Sequence, residues 1–276
     1  MKMKDKLIGL EDVRKVHPVF RGKYGDFFAR KGLKISGLEN VNSVYDHSKH
    51  LTGVDFCTHL LDGIGLKRIV KNQEILDKYK DEPFITVSNH AYGHVDGIAN
   101  IELVGSHRPT FKMMVNFVLG MIDTLSEQFI TVNPYDADVF NKVSSLSGIK
   151  ECIGHLKDGN PLGLFPAGAI SNLVKNNGKW IIEDREWQPS VLKLIKFAEV
   201  PIIPIHISGR NSNLFYLLGL IDWRLRNLRL GHELYNKKDR EMTFTIGEPI
   251  TLKEQSNYSD LELFGRFLKT KTYELK

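Results

Sequence analysis

Phe84-Ile85-Thr86-Val87-Ser88-Asn89-His90-Ala91-Tyr92-Gly93-His94-Val95-Asp96-Gly97 is the stretch whose reading decides the fold. Its first four residues are apolar or β-branched and follow Pro83. That composition suits a short buried strand. Ser88-Asn89-His90 then leaves the strand, and Gly93 and Gly97 bracket a turn before a helix predicted over residues 98–103. Strand, glycine-containing loop, helix is the unit from which parallel sheets are built. In such sheets the loops beyond the strand ends form the sites. His90 occupies such a loop.

Working outward, the same alternation continues. Further strands are predicted over residues 110–115, 129–132, 162–165, 202–207 and 242–246. Between them lie amphipathic stretches. One follows Asp136 and Asp138, which can cap a helix start. It carries Val139, Val143, Leu146, Ile149, Ile153 and Leu156 on one face and ends near Asp158-Gly159. Another runs from residue 190 to 199 and stops before Pro201. The predicted class is therefore α/β, a mostly parallel mixed sheet flanked by helices. Residues 1–79 read differently. Leu60, Leu61, Ile64, Leu66, Ile69, Val70 and Ile75 recur at roughly helical intervals, interrupted by Gly63 and Gly65. The expected organisation is an N-terminal helical region, 1–79, and a main domain, 80–276.

Composition narrows the partners. Apolar residues make up 42% and charged residues 26%, so the chain can bury a sizeable core. No apolar run approaches the roughly 18 residues of a membrane span, and Met1 to Arg14 lacks a signal-peptide core. The expected location is cytoplasmic. Cys57 and Cys152 are too few for a disulfide framework or zinc cluster. A net charge of +5 favours anionic partners. No dense basic block, zinc-finger spacing or aromatic RNA-binding signature is present, which argues against nucleic acid.

The His90 loop carries the chemistry. If it folds back, Asp96 accepts from one imidazole nitrogen, fixes the tautomer and leaves the other nitrogen free as a base. A bland alternative makes Asp96 a helix cap and His90 a loop residue. A metal site of His90, His94 and Asp96 is disfavoured, because Gly93 interrupts a regular helix and no further ligand cluster appears. His206, inside an apolar strand, reads as a core histidine.

Taken with three later segments, the stretch resembles the PlsC-type glycerolipid acyltransferases, and among them a bacterial, hemolysin-like subgroup with Asn-His-x-x-Gly-x-x-Asp-Gly. The later segments are Phe129-Ile130-Thr131-Val132-Asn133-Pro134, Phe165-Pro166-Ala167-Gly168-Ala169-Ile170-Ser171 and Val200-Pro201-Ile202-Ile203-Pro204-Ile205. Gly209-Arg210-Asn211-Ser212 follows the last of them. The resemblance covers about residues 83–250, and its strength lies in four motifs in order. It implies a lipid O-acyltransferase in which His90 is the general base and Asp96 its orienter. It implies acyl carrier protein or coenzyme A thioesters as donor, a lysolipid as acceptor, and no further cofactor or metal. It also implies substrate contacts from Asn89, Gly93, Lys112, Asn133, Phe165, Pro166, Ala167, Gly168, Ala169, Arg210 and Asn211.

The departures bear on the acceptor. Ala167 stands where the family usually has Glu, Ile170 where it has Arg, and Ala169 where the subgroup often keeps Glu. A loop without those charges suits an amino-acid-headed lysolipid, of the ornithine or glycine lipid type, better than a phosphomonoester. Lys112, Arg210 or Lys175 are candidates to supply a charge from elsewhere. The alternatives are a 1-acyl-glycerol-3-phosphate acyltransferase, a non-catalytic lipid-binding protein and a hydrolase. The run from Leu214 to Ile221, with Trp223, Arg224, Arg226 and Arg229 after it, suits docking on an anionic membrane surface. That would place the protein peripherally on the inner face of the cell membrane. A core helix with a basic edge is the competing account.

Overall fold

A computed structural model describes residues 24–27, 30–31, 37–116, 119–120, 122–132 and 142–276. Asn133, Pro134 and the expected caps Asp136 and Asp138 lie outside the described residues. In chain order the elements are α1 (Leu38–Ser48), α2 (Gly53–Gly63), β1 (Lys67–Lys71), α3 (Glu74–Lys78), β2 (Ile85–Ser88), α4 (His94–His107), β3 (Lys112–Asn116), a 3-10 turn (Asp123–Gln128) and β4 (Phe129–Val132). There follow α5 (Lys142–Lys157), β5 (Leu162–Leu164), β6 (Asn172–Asn176), β7 (Lys179–Glu183), α6 (Pro189–Ala198), β8 (Ile202–Ile207), α7 (Asn213–Ile221), α8 (Trp223–Asn227), α9 (Leu230–Tyr235), β9 (Glu241–Ile246), α10 (Leu252–Ser256) and α11 (Leu261–Tyr273).

Seven strands form one sheet in the order β1-β9-β8-β2-β5-β3-β4. Every neighbouring pair is parallel except β8 with β9. The sheet is mostly parallel and mixed, as the alternation of elements predicts. Its central strands are apolar because both faces are covered. Ile85 and Val87 of β2 pack with Cys152 and Leu156 of α5, Leu192 and Ile195 of α6, and Phe264 and Leu268 of α11. On the other face, Ile203, Ile205 and Ile207 of β8 share a core with Leu60 and Leu61 of α2 and Val95 and Ala99 of α4.

Three stretches differ from the pattern in the sequence. Lys67–Lys71 falls in the region expected to be helical, yet β1 lies at the sheet edge, parallel to β9, with Lys67 opposite Glu241. Its partner is more than 170 residues away, so local periodicity does not report it. β6 and β7 form a separate antiparallel hairpin. Asn177 and Gly178, with φ of 47° and 78°, make the tight turn that an Asn-Gly pair favours. Finally, α4 starts at His94 rather than near residue 98, so Asp96 sits in its first turn.

Candidate active site

The adjacent strands β8, β2 and β5 end side by side, and the loops after them meet. This brings together three segments far apart in sequence: 89–93 after β2, 165–171 after β5 and 208–212 after β8. Gly93 allows the first loop to turn back. Its φ of 103° is a left-handed conformation that a side chain resists.

His90 Nδ1 lies 2.9 Å from Asp96 Oδ2. The same oxygen accepts the backbone N–H of Tyr92 at 2.8 Å and of Gly93 at 3.0 Å. Asp96 is thus both the cap of α4 and the partner of His90; the two accounts offered by the sequence hold together. An acceptor-only carboxylate makes Nδ1 the protonated nitrogen, which leaves Nε2 with its lone pair. The ring stacks on Phe165, with centroids 4.2 Å apart and planes at 21°. Asp96 is fully buried, whereas the His90 side chain keeps some exposure.

The backbone of His90 is clamped as well. Its carbonyl accepts from Ser171 N–H at 2.8 Å, with Ser171 Oγ 3.1 Å away. Its N–H donates to Asp184 Oδ1 at 3.2 Å, and Ser171 Oγ donates to the same oxygen at 2.6 Å. Burial pushes the Asp184 carboxyl above the usual carboxylate range, against the hydrogen bonds from Ser171 and His90. The third-motif loop and the histidine loop are locked together through this clamp.

The other expected site residues divide. Phe165 meets His90 directly. Gly168 N–H is already donated to Phe165 O, so it is not free for a substrate oxygen. The next two amides, of Ala169 and Ile170, have no acceptor among the described residues. Pro166 and Ala167 are buried and use their carbonyls on Gln188 N–H and on Arg185 Nε. Asn89 is buried, donating to Ile207 O at 2.9 Å and accepting Ile207 N–H at 2.7 Å. It ties β2 to β8 rather than facing a substrate. Asn211 is also buried and donates to Tyr92 O at 3.1 Å. Arg210 is exposed, over the Tyr216 ring, and lines an open cavity of about 680 Å³ with Tyr92, Asn236, Lys237 and Arg240. Lys112 is a correction. It pairs with Leu162 at the start of β5, the end of the sheet away from His90. Strand alternation alone does not say which end a residue occupies.

Several residues near the loops were not legible as site residues. Asp184 lies beyond any motif, and only its clamp on His90 identifies it. Arg185 and Arg226 donate to Ala167 O at 2.7 Å and to Ile170 O at 3.1 Å. These are the positions where the loop itself lacks charge. Arg226 is 6% exposed, so the expectation that it meets lipid headgroups is corrected: α8 turns it inward beneath Phe215. His94 is half-buried with its Nε2 shielded from water, and desolvation lowers it to about 4, so it is neutral. His206 is buried edge-on to Tyr273, as expected of a core histidine.

A fold of this kind, with a histidine and an aspartate joined beyond a central strand, is that of the PlsC-like acyltransferases. The crystal structure of the 1-acyl-sn-glycerophosphate acyltransferase PlsC from Thermotoga maritima superposes with a TM-score of 0.51, over 90% of this chain and 87% of that one, at 18% identity. The chain belongs to the acyltransferase family, whose sequence model matches residues 14–276. Two curated relatives are similar along nearly their whole length. A lyso-glycine lipid O-acyltransferase of Bacteroides thetaiotaomicron is 27% identical, covering 88% of this chain and 87% of that protein. Another of that description, from Phocaeicola vulgatus, is also 27% identical, covering 99% and 98%.

Proposed function

We propose that the chain moves a fatty acyl group from a thioester to the hydroxyl of a lyso-aminoacyl lipid, of the glycine or ornithine lipid type. The observation that carries the chemistry is the bond between His90 Nδ1 and Asp96 Oδ2, which leaves Nε2 as the only basic nitrogen of the ring. The two relatives that act on lyso-glycine lipid support the acceptor class.

In this reading Nε2 takes the proton of the acceptor hydroxyl as its oxygen attacks the thioester carbonyl. Asp96 stabilises the imidazolium that forms. The unpaired amides of Ala169 and Ile170 are the candidates to meet the tetrahedral oxyanion. Collapse breaks the carbon–sulfur bond, and the imidazolium returns its proton to the departing thiolate. No acyl-enzyme is needed, and the chain has no Gly-x-Ser-x-Gly elbow. The donor is an acyl carrier protein or coenzyme A thioester.

We place the reaction at an anionic membrane surface. Among the described residues no helix is long and apolar enough to cross a membrane. However, Leu217, Leu220, Ile221, Trp223 and Leu228 on α7 and α8 and after them are exposed. This patch adjoins the hairpin, where Trp180 is exposed beside Lys175 and Lys179. An apolar surface edged by cations suits interfacial docking.

The test offers purified protein both thioester donors with lyso-glycine lipid, lyso-ornithine lipid and lysophosphatidate. Preference for an aminoacyl acceptor, abolished by His90→Ala, is expected. Preference for lysophosphatidate sinks the acceptor class, and full activity of His90→Ala sinks the mechanism.

A further inference from the structure

Arg226 is a buried cation without a counter-ion among the described residues. Its Nη2 donates to Ile170 O at 3.1 Å. Its Nε and Nη1 are shielded from water and have no hydrogen-bond partner among the described residues. No carboxylate among the described residues pairs with it. Burial lowers its pKa, and the neighbouring Arg185 pushes the same way. A guanidinium held dry with two open nitrogens costs stability unless an anion arrives to pair with them.

Beside it stands the complementary orphan. Asn172 Oδ1 is buried with no donor among the described residues. Arg226 and Asn172 converge over Gly219, where an added Cβ would lie 2.9 Å from Arg226 Cδ and 3.3 Å from Asn172 Oδ1. Both residues adjoin the His90 clamp, since Asn172 follows Ser171 and Arg226 holds Ile170. Arg185, exposed and bonded to Ala167 O of the same loop, adds a second positive charge near Arg226.

We infer that Arg226, Arg185 and Asn172 form the seat for the head of the acceptor, with the arginines taking a carboxylate and Asn172 Oδ1 taking an amide N–H. This rests on the aminoacyl acceptor proposed above. An N-acylated amino acid offers both a carboxylate and an adjacent N–H. A phosphomonoester offers the anion but no N–H, and would leave Asn172 Oδ1 unpaired. Phe215 and Gly219 of α7 lie against the Arg226 side chain, so α7 shifts as the head enters.

The experiment compares kcat/KM for lyso-glycine lipid, which ends in a free carboxylate, with that for its methyl ester, in the wild type, Arg226→Met and Arg185→Gln. Lysophosphatidate is the third acceptor. A charge-assisted pair lost in the ester predicts a wild-type preference for the acid of about ten- to hundredfold. Both variants should shrink that ratio, Arg226→Met the more. Arg226→Met should also melt at or above the wild-type temperature, because it removes an uncompensated buried charge. Arg185→Gln, at an exposed position, keeps the test open if the buried variant fails to fold. Equal use of acid and ester by the wild type overturns the seat while the acceptor class stands. So does an unchanged ratio in the variants. Use of lysophosphatidate with neither glycine acceptor overturns the acceptor class and the seat with it.

Discussion

Replacing Asp96 by Asn and by Ala separates its two roles. Three donors converge on one oxygen, Oδ2: His90 Nδ1, Tyr92 N and Gly93 N, at 2.9, 2.8 and 3.0 Å. The other oxygen, Oδ1, has no partner among the described residues. An asparagine can therefore put its carbonyl where Oδ2 was and keep all three bonds, with its NH₂ at the already unpaired position. The tautomer and the loop survive; the negative charge does not. An imidazolium beside a carboxylate gains about 4 kcal/mol at an intermediate effective dielectric. A neutral hydrogen bond retains about 1 kcal/mol. The difference, about 3 kcal/mol, lowers kcat roughly a hundredfold. Alanine instead strands two amides and uncaps α4, which costs about 2–5 kcal/mol of stability besides the activity. The assay is thiol release from acyl-coenzyme A or acyl carrier protein with saturating lysolipid, alongside thermal and urea unfolding. Asn within threefold of wild-type kcat would refute the electrostatic role. Alanine as stable as the wild type would refute the cap.

Gly209 has a φ of 110°, and a Cβ there would fall 1.6 Å from Tyr92 Oη. Gly209→Ala should destabilise by about 2–4 kcal/mol in urea unfolding and lower activity by shifting the Tyr92 loop. Burial lowers both His94 and His206 to about 4, from an ordinary 6.5. Unfolded histidines then bind protons that the folded ones refuse. Stability is unaffected above pH 6.5 and falls as the pH drops from 6.5 towards 4. The urea midpoint measured against pH should show that loss, and His206→Gln should flatten it. Ile221, 75% exposed, and Leu217 stand on the proposed docking patch. Ile221→Glu with Leu217→Glu should reduce sedimentation with anionic vesicles at least tenfold while leaving the melting temperature within a degree or two.

Much of the sheet was legible before any tertiary information. The strands at residues 129–132 and 202–207 appear with the bounds the pattern predicts; the continuous apolar run of the second reports burial on both faces, whereas the first is an edge strand that exposes Thr131. The His90–Asp96 pairing was legible too, since it needs only a turn within seven residues and glycine to make it. The edge strand Lys67–Lys71 was not, because its partner is set by chain-distant pairing and its own five residues carry three charges. The Asn177-Gly178 turn carried a readable hairpin signal, although half of the flanking strand residues are polar.

The sequence by itself determined the class of fold, the order of the motifs and the residue types at the candidate chemistry. Local patterning suffices for those, because strand burial, helix starts and turns are written within a few residues. Only the tertiary structure decided which end of each strand, and which side of each helix, meets the His90 loop. That choice put Lys112 at the far end of the sheet, and turned Asn89 into a tie between strands. It brought Asp184, Arg185 and Arg226 to a loop whose own residues carry no charge. The register of three adjacent parallel strands fixes these meetings, and register depends on contacts across the whole sheet rather than on any one segment.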